Sequence, residues 1–346
     1  MHVRSQEGLL LTSWMFWSVA YYMYFPFLSI FFSRFVPEGE VSLLYLLFQA
    51  SSLPFPFVGA RLHRRSPILA IVVGMGLSGL GLALLSLARN ALEVVAFMVV
   101  NYSFYLALPS YYLLMGRQGE GTITRVWAFS ILPSLFMPSV GGFLAEALGF
   151  RGLFLLSGVI LASSFVPVLK VHCEAAEREA TGLPRSAYAI PLMILSVAMA
   201  SPYVYLLAYV DFSLTKVQVG ELSTLAEVVG MAFSLFSSYT KRKEVSLALS
   251  LLLFSLVSLL RVSPLFAVFF GLWEAVIPLS TEVFAGRTGS VDEYAVVVAL
   301  GDAGWALGYL VDAVWQNAEL AIYSSSLVAL FTATMLLLDR ARKGIK

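Results

Sequence analysis

The sequence predicts an all-α integral membrane protein: twelve transmembrane helices in two pseudo-symmetric six-helix bundles, with both termini cytoplasmic. Three observations predict it. Apolar stretches of about 20 residues recur along all 346 positions, with charge confined to their ends. Lys and Arg fall almost entirely on every second connection. Short segments of the first half recur in the second at an offset near half the chain length.

The apolar stretches cover roughly 8–32, 41–60, 67–88, 91–115, 124–147, 151–170, 187–210, 217–238, 245–261, 264–285, 294–314 and 319–338. Each is long enough to cross a hydrocarbon core of about 30 Å as a helix. Composition agrees, with 59% apolar and 12% charged residues against about 45–50% and 25% in soluble domains. A soluble protein could not cover that much apolar surface. The first stretch follows Met1-His-Val-Arg-Ser-Gln-Glu-Gly8 and runs apolar too far, without an Ala-x-Ala cleavage pattern, for a signal-peptide core, so it is expected to stay as a helix.

Orientation follows from basic residues in short loops rather than from the net charge of +1. With a cytoplasmic N-terminus, only Arg34, Arg89, Arg151, Lys216 and Arg261 face outward, and the other 17 of the 22 Lys and Arg face inward. Twelve spans give this imbalance; one span more or fewer would scramble it. The longest polar segment runs from Val171 to Arg185, so the chain divides into a bundle at 1–170, a cytoplasmic linker at 171–186 and a second bundle at 187–346. The single cysteine, Cys173, lies in that linker and excludes an intramolecular disulfide.

The repeat supports this division. Gly142-Phe-Leu-Ala-Glu-Ala-Leu148, closing the fifth span, matches Gly308-Tyr-Leu-Val-Asp-Ala-Val314, closing the eleventh. Gly116-Arg117 matches Gly286-Arg287, and Arg64-Arg65 matches Arg242-Lys243. Repeated six-helix units are the architecture of transporters whose halves rock about a midplane site.

The fifth span, Ile131-Leu-Pro-Ser-Leu-Phe-Met-Pro138-Ser-Val-Gly141-Gly142, resembles the Gly-Pro-x-x-Gly-Gly motif of helix 5 in the major facilitator superfamily, with Met137 in place of the first glycine. Gly149-Phe-Arg-Gly-Leu-Phe-Leu155 is similar to that family's opening of helix 6. Between the second and third spans, Gly59-Ala-Arg-Leu-His63-Arg64-Arg65-Ser-Pro67 keeps the glycine and basic cluster of the family's loop, shortened and with His63 where an aspartate is usual. The resemblance covers the whole chain in topology and is specific only around helices 2 to 6. It implies alternating access around a cavity lined by helices 1, 4, 7 and 10; the missing aspartate puts the family's cytoplasmic latch in doubt. Independently of the family, Pro138, Gly141 and Gly142 suit a moving interface, because glycines let helices approach and neighbours re-satisfy a proline-kinked backbone. Ordinary close packing explains the same residues.

Several signatures of soluble proteins fail on context. Gly74-Met-Gly76-Leu-Ser-Gly79 fits a dinucleotide fingerprint but lies inside an apolar span with no strand before it, and reads as a packing face. Ser213-Leu-Thr-Lys216 lacks companion motifs, and the sequon at Asn101-Tyr-Ser103 is mid-span. No Gly-x-x-x-x-Gly-Lys loop is present, which argues against direct ATP drive, and His2, His63 and His172 are scattered. No cofactor, metal or nucleic acid is expected.

Ionisable groups inside the bilayer carry the functional reading. Glu227, Glu274 and Asp302 lie deep in the eighth, tenth and eleventh spans, with Glu282 and Asp312 nearer the rims. Gln49, which the repeat aligns with Glu227, and Asn101 are the deep polar residues of the first half. An ionised carboxylate at the bilayer centre costs at least about 2.5–3.5 kcal/mol, and no Lys or Arg lies at comparable depth to neutralise these acids. They are then protonated, hydrated in a cavity, or paired with a cation from outside the chain. That pattern favours neutral or cationic solutes over phosphate, sulfate or dicarboxylates. The alternative is that the acids are hydrogen-bonded helix contacts, with Glu282 a rim partner of Arg117, Arg125 or Arg287.

Aromatic residues form a second feature. Trp14, Trp17, Tyr21 and Tyr24 share one face of the first helix, and Tyr205 and Tyr209 share a face of the seventh with Ser201 one turn earlier. An interfacial belt accounts for Trp14 but not for Tyr21 near mid-span. Under the resemblance, the stripe faces substrate and offers π faces to cations or sugar rings; core packing is the competing reading.

Together these observations predict a multi-pass transporter of the cell membrane, acting as a monomer in the lipid bilayer. It would move a small-molecule substrate by alternating access, coupled to protons or another ion, with efflux of amphipathic compounds by an antiporter favoured over transport of sugar-like metabolites. The alternatives are an intramembrane enzyme or lipid-handling protein, for which no nucleophile or metal cluster is found, and a solute-sensing receptor on a transporter scaffold, for which no output domain is found.

Overall fold

A computed structural model describes residues 2–118, 122–171, 182–285 and 290–344. Most of the expected linker, including His172 and Cys173, and the Gly286-Arg287 repeat lie outside the described residues. The described chain is helical throughout, with no strands.

Eleven helices are long and apolar enough to cross a membrane: α1 Gln6–Phe32, α2 Glu38–Arg65, α3 Pro67–Leu85, α4 Ala91–Arg117, α6 Gly149–Lys170, α7 Arg185–Asp211, α8 Lys216–Tyr239, α9 Lys243–Arg261, α10 Pro264–Phe284, α11 Val291–Trp315 and α12 Ala318–Ala341. Between α4 and α6, α5 is a pair, Val126–Leu135 and Met137–Ala147, bent by 41° and making the twelfth span if counted as one. Its bend falls where Pro133 and Pro138 bracket Phe136 and remove backbone donors.

Side-chain caps fix several starts. Ser66 accepts from the Leu69 amide at the head of α3, and Asn90 from the Glu93 amide at the head of α4. Thr215 with Gln218, and Ser290 with Glu293, form capping boxes before α8 and α11. Breaks in mid-span are just as regular. α1 tightens to a 3₁₀ turn at Phe25–Phe27 around Pro26, α4 is interrupted at Tyr102 and Ser103, α7 at Ser201–Tyr203 around Pro202, and α10 begins as 3₁₀ helix over Pro264–Leu272. Irregular backbone at this depth is tolerated only against protein or a water-filled cavity.

Small residues set the closest approaches. Gly79 of α3 and Gly158 of α6 oppose each other, and a Cβ on either would strike the partner's backbone. The Gly74-to-Gly79 run is therefore a packing face. α5 and α8 meet in the same manner: a Cβ at Gly142 would lie 2.6 Å from the Lys216 carbonyl oxygen, and one at Gly220 would collide with that of Pro138. Ser139 and Thr224 hydrogen-bond at 2.8 Å along that seam. A Cβ at Gly141 would strike the Met23 carbonyl of α1. The other extensive contact between residues before 170 and residues after 187 joins α2 to α11.

Candidate functional site

The interrupted helices surround a cavity of about 150 Å³, walled by α1, α2, α4, α5, α7, α10 and α11. Its most regular wall is a column of rings on α1. Trp14 stacks on Trp17 at 5.1 Å, Trp17 on Tyr21 at 4.7 Å, and Tyr21 on Phe25 at 4.9 Å. The i, i+3 and i+4 spacing puts these rings on one face. Tyr24 joins the column edge-on against Tyr21 and also lines the cavity. Tyr205 packs its ring against Phe25 without lining the cavity, and Tyr209 is half-buried beside the core.

Both ends of the cavity are narrowed by contacts between the early and late parts of the chain. At the end opposite the start of α1, Phe25 stacks on Phe270 at 6.3 Å, and the Tyr203 hydroxyl donates to the Gly39 carbonyl at 3.1 Å and bonds Ser42 at 2.9 Å. At the other end, Tyr112 stacks on Tyr294 at 5.8 Å, and Arg64 Nη2 lies 2.6 Å from Asp292 Oδ1. Asp292 thus supplies from α11 an acid that the loop after α2 lacks. The neighbouring His63 is buried, with Nδ1 2.9 Å from Ser110 Oγ, while Arg65 is exposed; Gly59 lets α2 cross the backbone of α4 at Leu106.

The deep acids form two groups. Asp302, buried on α11, accepts from Gln49 Nε2, and Ser52 Oγ lies 3.2 Å from its Oδ2. Gln49 Nε2 also reaches the Tyr105 hydroxyl at 3.4 Å, and Gln49, Tyr105 and Asp302 all line the cavity. Gln49 is therefore a partner of Asp302, although the repeat aligns it with Glu227.

Glu227 and Glu274 form the second group, on α8 and α10. Gly230 and Gly271 bring these helices into backbone contact, which makes the two carboxyls electrostatic neighbours. Tyr22 donates its hydroxyl to Glu274, and the Trp273 indole donates to Glu227 Oε1 at 3.2 Å. Both acids are buried, and Oε2 of each has no hydrogen-bond partner among the described residues. They lie behind the cavity wall; Tyr22 and Trp273 are the wall residues that cover them. The sequence reading missed Tyr22, one position beyond the Tyr21 stripe, and Trp273, although an indole adjoining a mid-span glutamate was a usable signal.

Other polar residues sit elsewhere. Asn101 donates to the Ser78 carbonyl at 3.0 Å, tying α4 to α3, and is absent from the cavity wall. Asp312, expected near a rim, is fully buried with neither carboxylate oxygen hydrogen-bonded among the described residues. Glu282 lies 3.7 Å from Lys243 rather than against Arg117; Arg287 and the Arg125 side chain are outside the described residues. No cluster of His, Cys, Asp and Glu suited to a metal occurs among the described residues.

Among the described residues, eleven apolar helices and one bent pair surround the cavity, and two of the main inter-segment contacts join α2 to α11 and α5 to α8. The crystal structure of the human organic anion transporter MFSD10 (TETRAN) shares this fold: the likeness covers 97% of this chain and 100% of that chain with a TM-score of 0.68, at 14% sequence identity. No family model and no curated protein matches the sequence.

Proposed function

We propose that this chain is a secondary active transporter that works by alternating access, with bundles at 1–170 and 187–346 rocking about the aromatic cavity, both termini in the cytoplasm and the cell membrane as its location. The observation that carries this reading is the charge pattern of the cavity. Among the described residues its lining contains Asp302 and no Lys, Arg or His, while the carboxyl pair Glu227 and Glu274 stands directly behind Tyr22 and Trp273. An anionic solute would meet no compensating charge there. A neutral or cationic one meets stacked π faces and a carboxylate. MFSD10 is described as an organic anion transporter, which adds organic anions to the solutes to test.

Two neighbouring carboxyls in a dry interior cannot both hold charge without a cation, so they suit the holding and release of a proton. Proton-coupled efflux of amphipathic compounds is the cycle that fits these groups, with sugar-like metabolites as the next substrate class.

The test is reconstitution into liposomes with an imposed pH gradient, using amphipathic cations, sugars and organic anions as solutes. Glu227→Gln and Glu274→Gln keep size and hydrogen bonding, so each is expected to fold, to lose uphill transport and to retain downhill exchange. Full accumulation driven by the pH gradient in both variants overturns the coupling assignment. Loss of binding itself in either variant assigns that acid to a cationic substrate instead.

A further inference from the structure

Only five basic residues belong to the connections opposite the termini, and three of them converge. Arg34 follows α1, Arg89 follows α3 and Arg151 lies in the first turn of α6. With Phe31, Phe35 and Phe150 they enclose a pocket of about 560 Å³, separate from the central cavity. The Arg34 guanidinium sits 4.4 Å from the centre of the Phe150 ring, and Lys216 Nζ lies 5.3 Å from the same centre. Among the described residues, the ion pairs of this face join Lys216 to Glu146 and Arg261 to Asp211 and Glu319, and include none of the three arginines.

Three like-charged guanidiniums line one hollow, so they repel each other. An anion among them removes that repulsion and accepts their N–H groups in the forked geometry that favours phosphate. The rest of the wall is apolar: Phe31 and Phe35 flank the cations, with Leu148 beside them. A ligand with a phosphate at one end and hydrocarbon at the other satisfies both parts.

We propose that this pocket binds a phosphate-bearing anion at the membrane interface, namely the headgroup phosphate of an anionic lipid whose chain lies over Phe31 and Phe35. The site is independent of the transport cavity and of the substrate moved.

Purified full-length protein in neutral detergent, titrated with short-chain phosphatidylglycerol, phosphatidylcholine and inorganic phosphate and followed by native mass spectrometry and thermal shift, tests it. Saturable phosphatidylglycerol binding, weaker by at least tenfold in R34Q/R89Q/R151Q and several-fold in R151Q alone, is the expected result. The unliganded melting temperature should hold or rise in both variants, because repulsion is removed; R151Q carries the test if the triple variant does not fold. Inorganic phosphate that matches phosphatidylglycerol and is lost in the variants assigns the same pocket to a free phosphate. Equal binding of phosphatidylcholine and phosphatidylglycerol, or equal affinity in native and variant proteins, overturns the proposal.

Discussion

Gly142 is the position where the packing of α5 on α8 can be perturbed with a predictable size. An Ala Cβ there would come 2.6 Å from the Lys216 carbonyl oxygen and 3.0 Å from Val217 Cα. Carbon and oxygen at rest sit about 3.5 Å apart, so the helices must separate by several tenths of an ångström. The Ser139 to Thr224 hydrogen bond one turn away resists that movement. Overpacking of this kind costs about 1–3 kcal/mol, and Gly142→Leu should cost more. Gly76 on α3 is the control, since a Cβ there would meet only Phe165 at 3.9 Å, and Gly→Ala inside a helix gains about 0.8–1.0 kcal/mol. Because that gain applies at both positions, the two Ala variants should differ by the overpacking cost, roughly 1–3 kcal/mol. Thermal unfolding of both in detergent reads this as a melting temperature several degrees lower for Gly142→Ala than for Gly76→Ala. Equal melting of the two would refute the close α5–α8 contact.

Tyr22→Phe removes the donor to Glu274 and leaves a buried carboxyl with no partner on either oxygen, which should lower stability by about 1–3 kcal/mol and slow gradient-driven transport; unchanged melting and unchanged transport would remove Tyr22 from the site. Arg64 and Asp292 are more than half exposed, so Arg64→Ala should shift melting by less than about 1 kcal/mol yet raise labelling of a cysteine introduced at Tyr112, and the charge-swapped double variant should restore the native labelling rate.

The spans were legible because a bilayer demands long apolar runs, and each of the twelve sequence stretches overlaps an observed helix or, for α5, a bent pair. Pro138 gave notice of the bend in α5 but not its angle, which depends on Phe136 and Pro133 as well. Glu227, Glu274 and Asp302 were visible because charge is conspicuous in an apolar run. Their partners were not, because partnership is a relation between helices far apart in sequence. The repeat in the sequence aligns Gln49 with Glu227, and positions matched by a repeat stand apart rather than touch. Hence Gln49 meets Asp302, and Glu227 meets Glu274. Asp312 stands three residues before the end of α11 at Trp315, and its burial there depends on neighbouring helices rather than on its place in the span.

These partnerships bear on how charge could drive movement. Glu274 and Asp302 belong to residues 187–346, while the side chains that donate to them, Tyr22, Gln49 and Ser52, belong to residues 1–170. A hydrogen bond to a charged acceptor contributes about 1.5–3 kcal/mol, against about 0.5–1.5 for a neutral one. In the proposed cycle, protonating both acids weakens three bonds that cross between the bundles, by about 1 kcal/mol each. About 3 kcal/mol is roughly a hundredfold shift in a two-state equilibrium. In that cycle the ionised acids would favour this arrangement of the two segments, and protonation would release it. Because the donors lie in residues 1–170 and the acceptors in residues 187–346, protonation in that cycle biases rocking through these bonds, at Glu274 behind the cavity wall and at Asp302 on it.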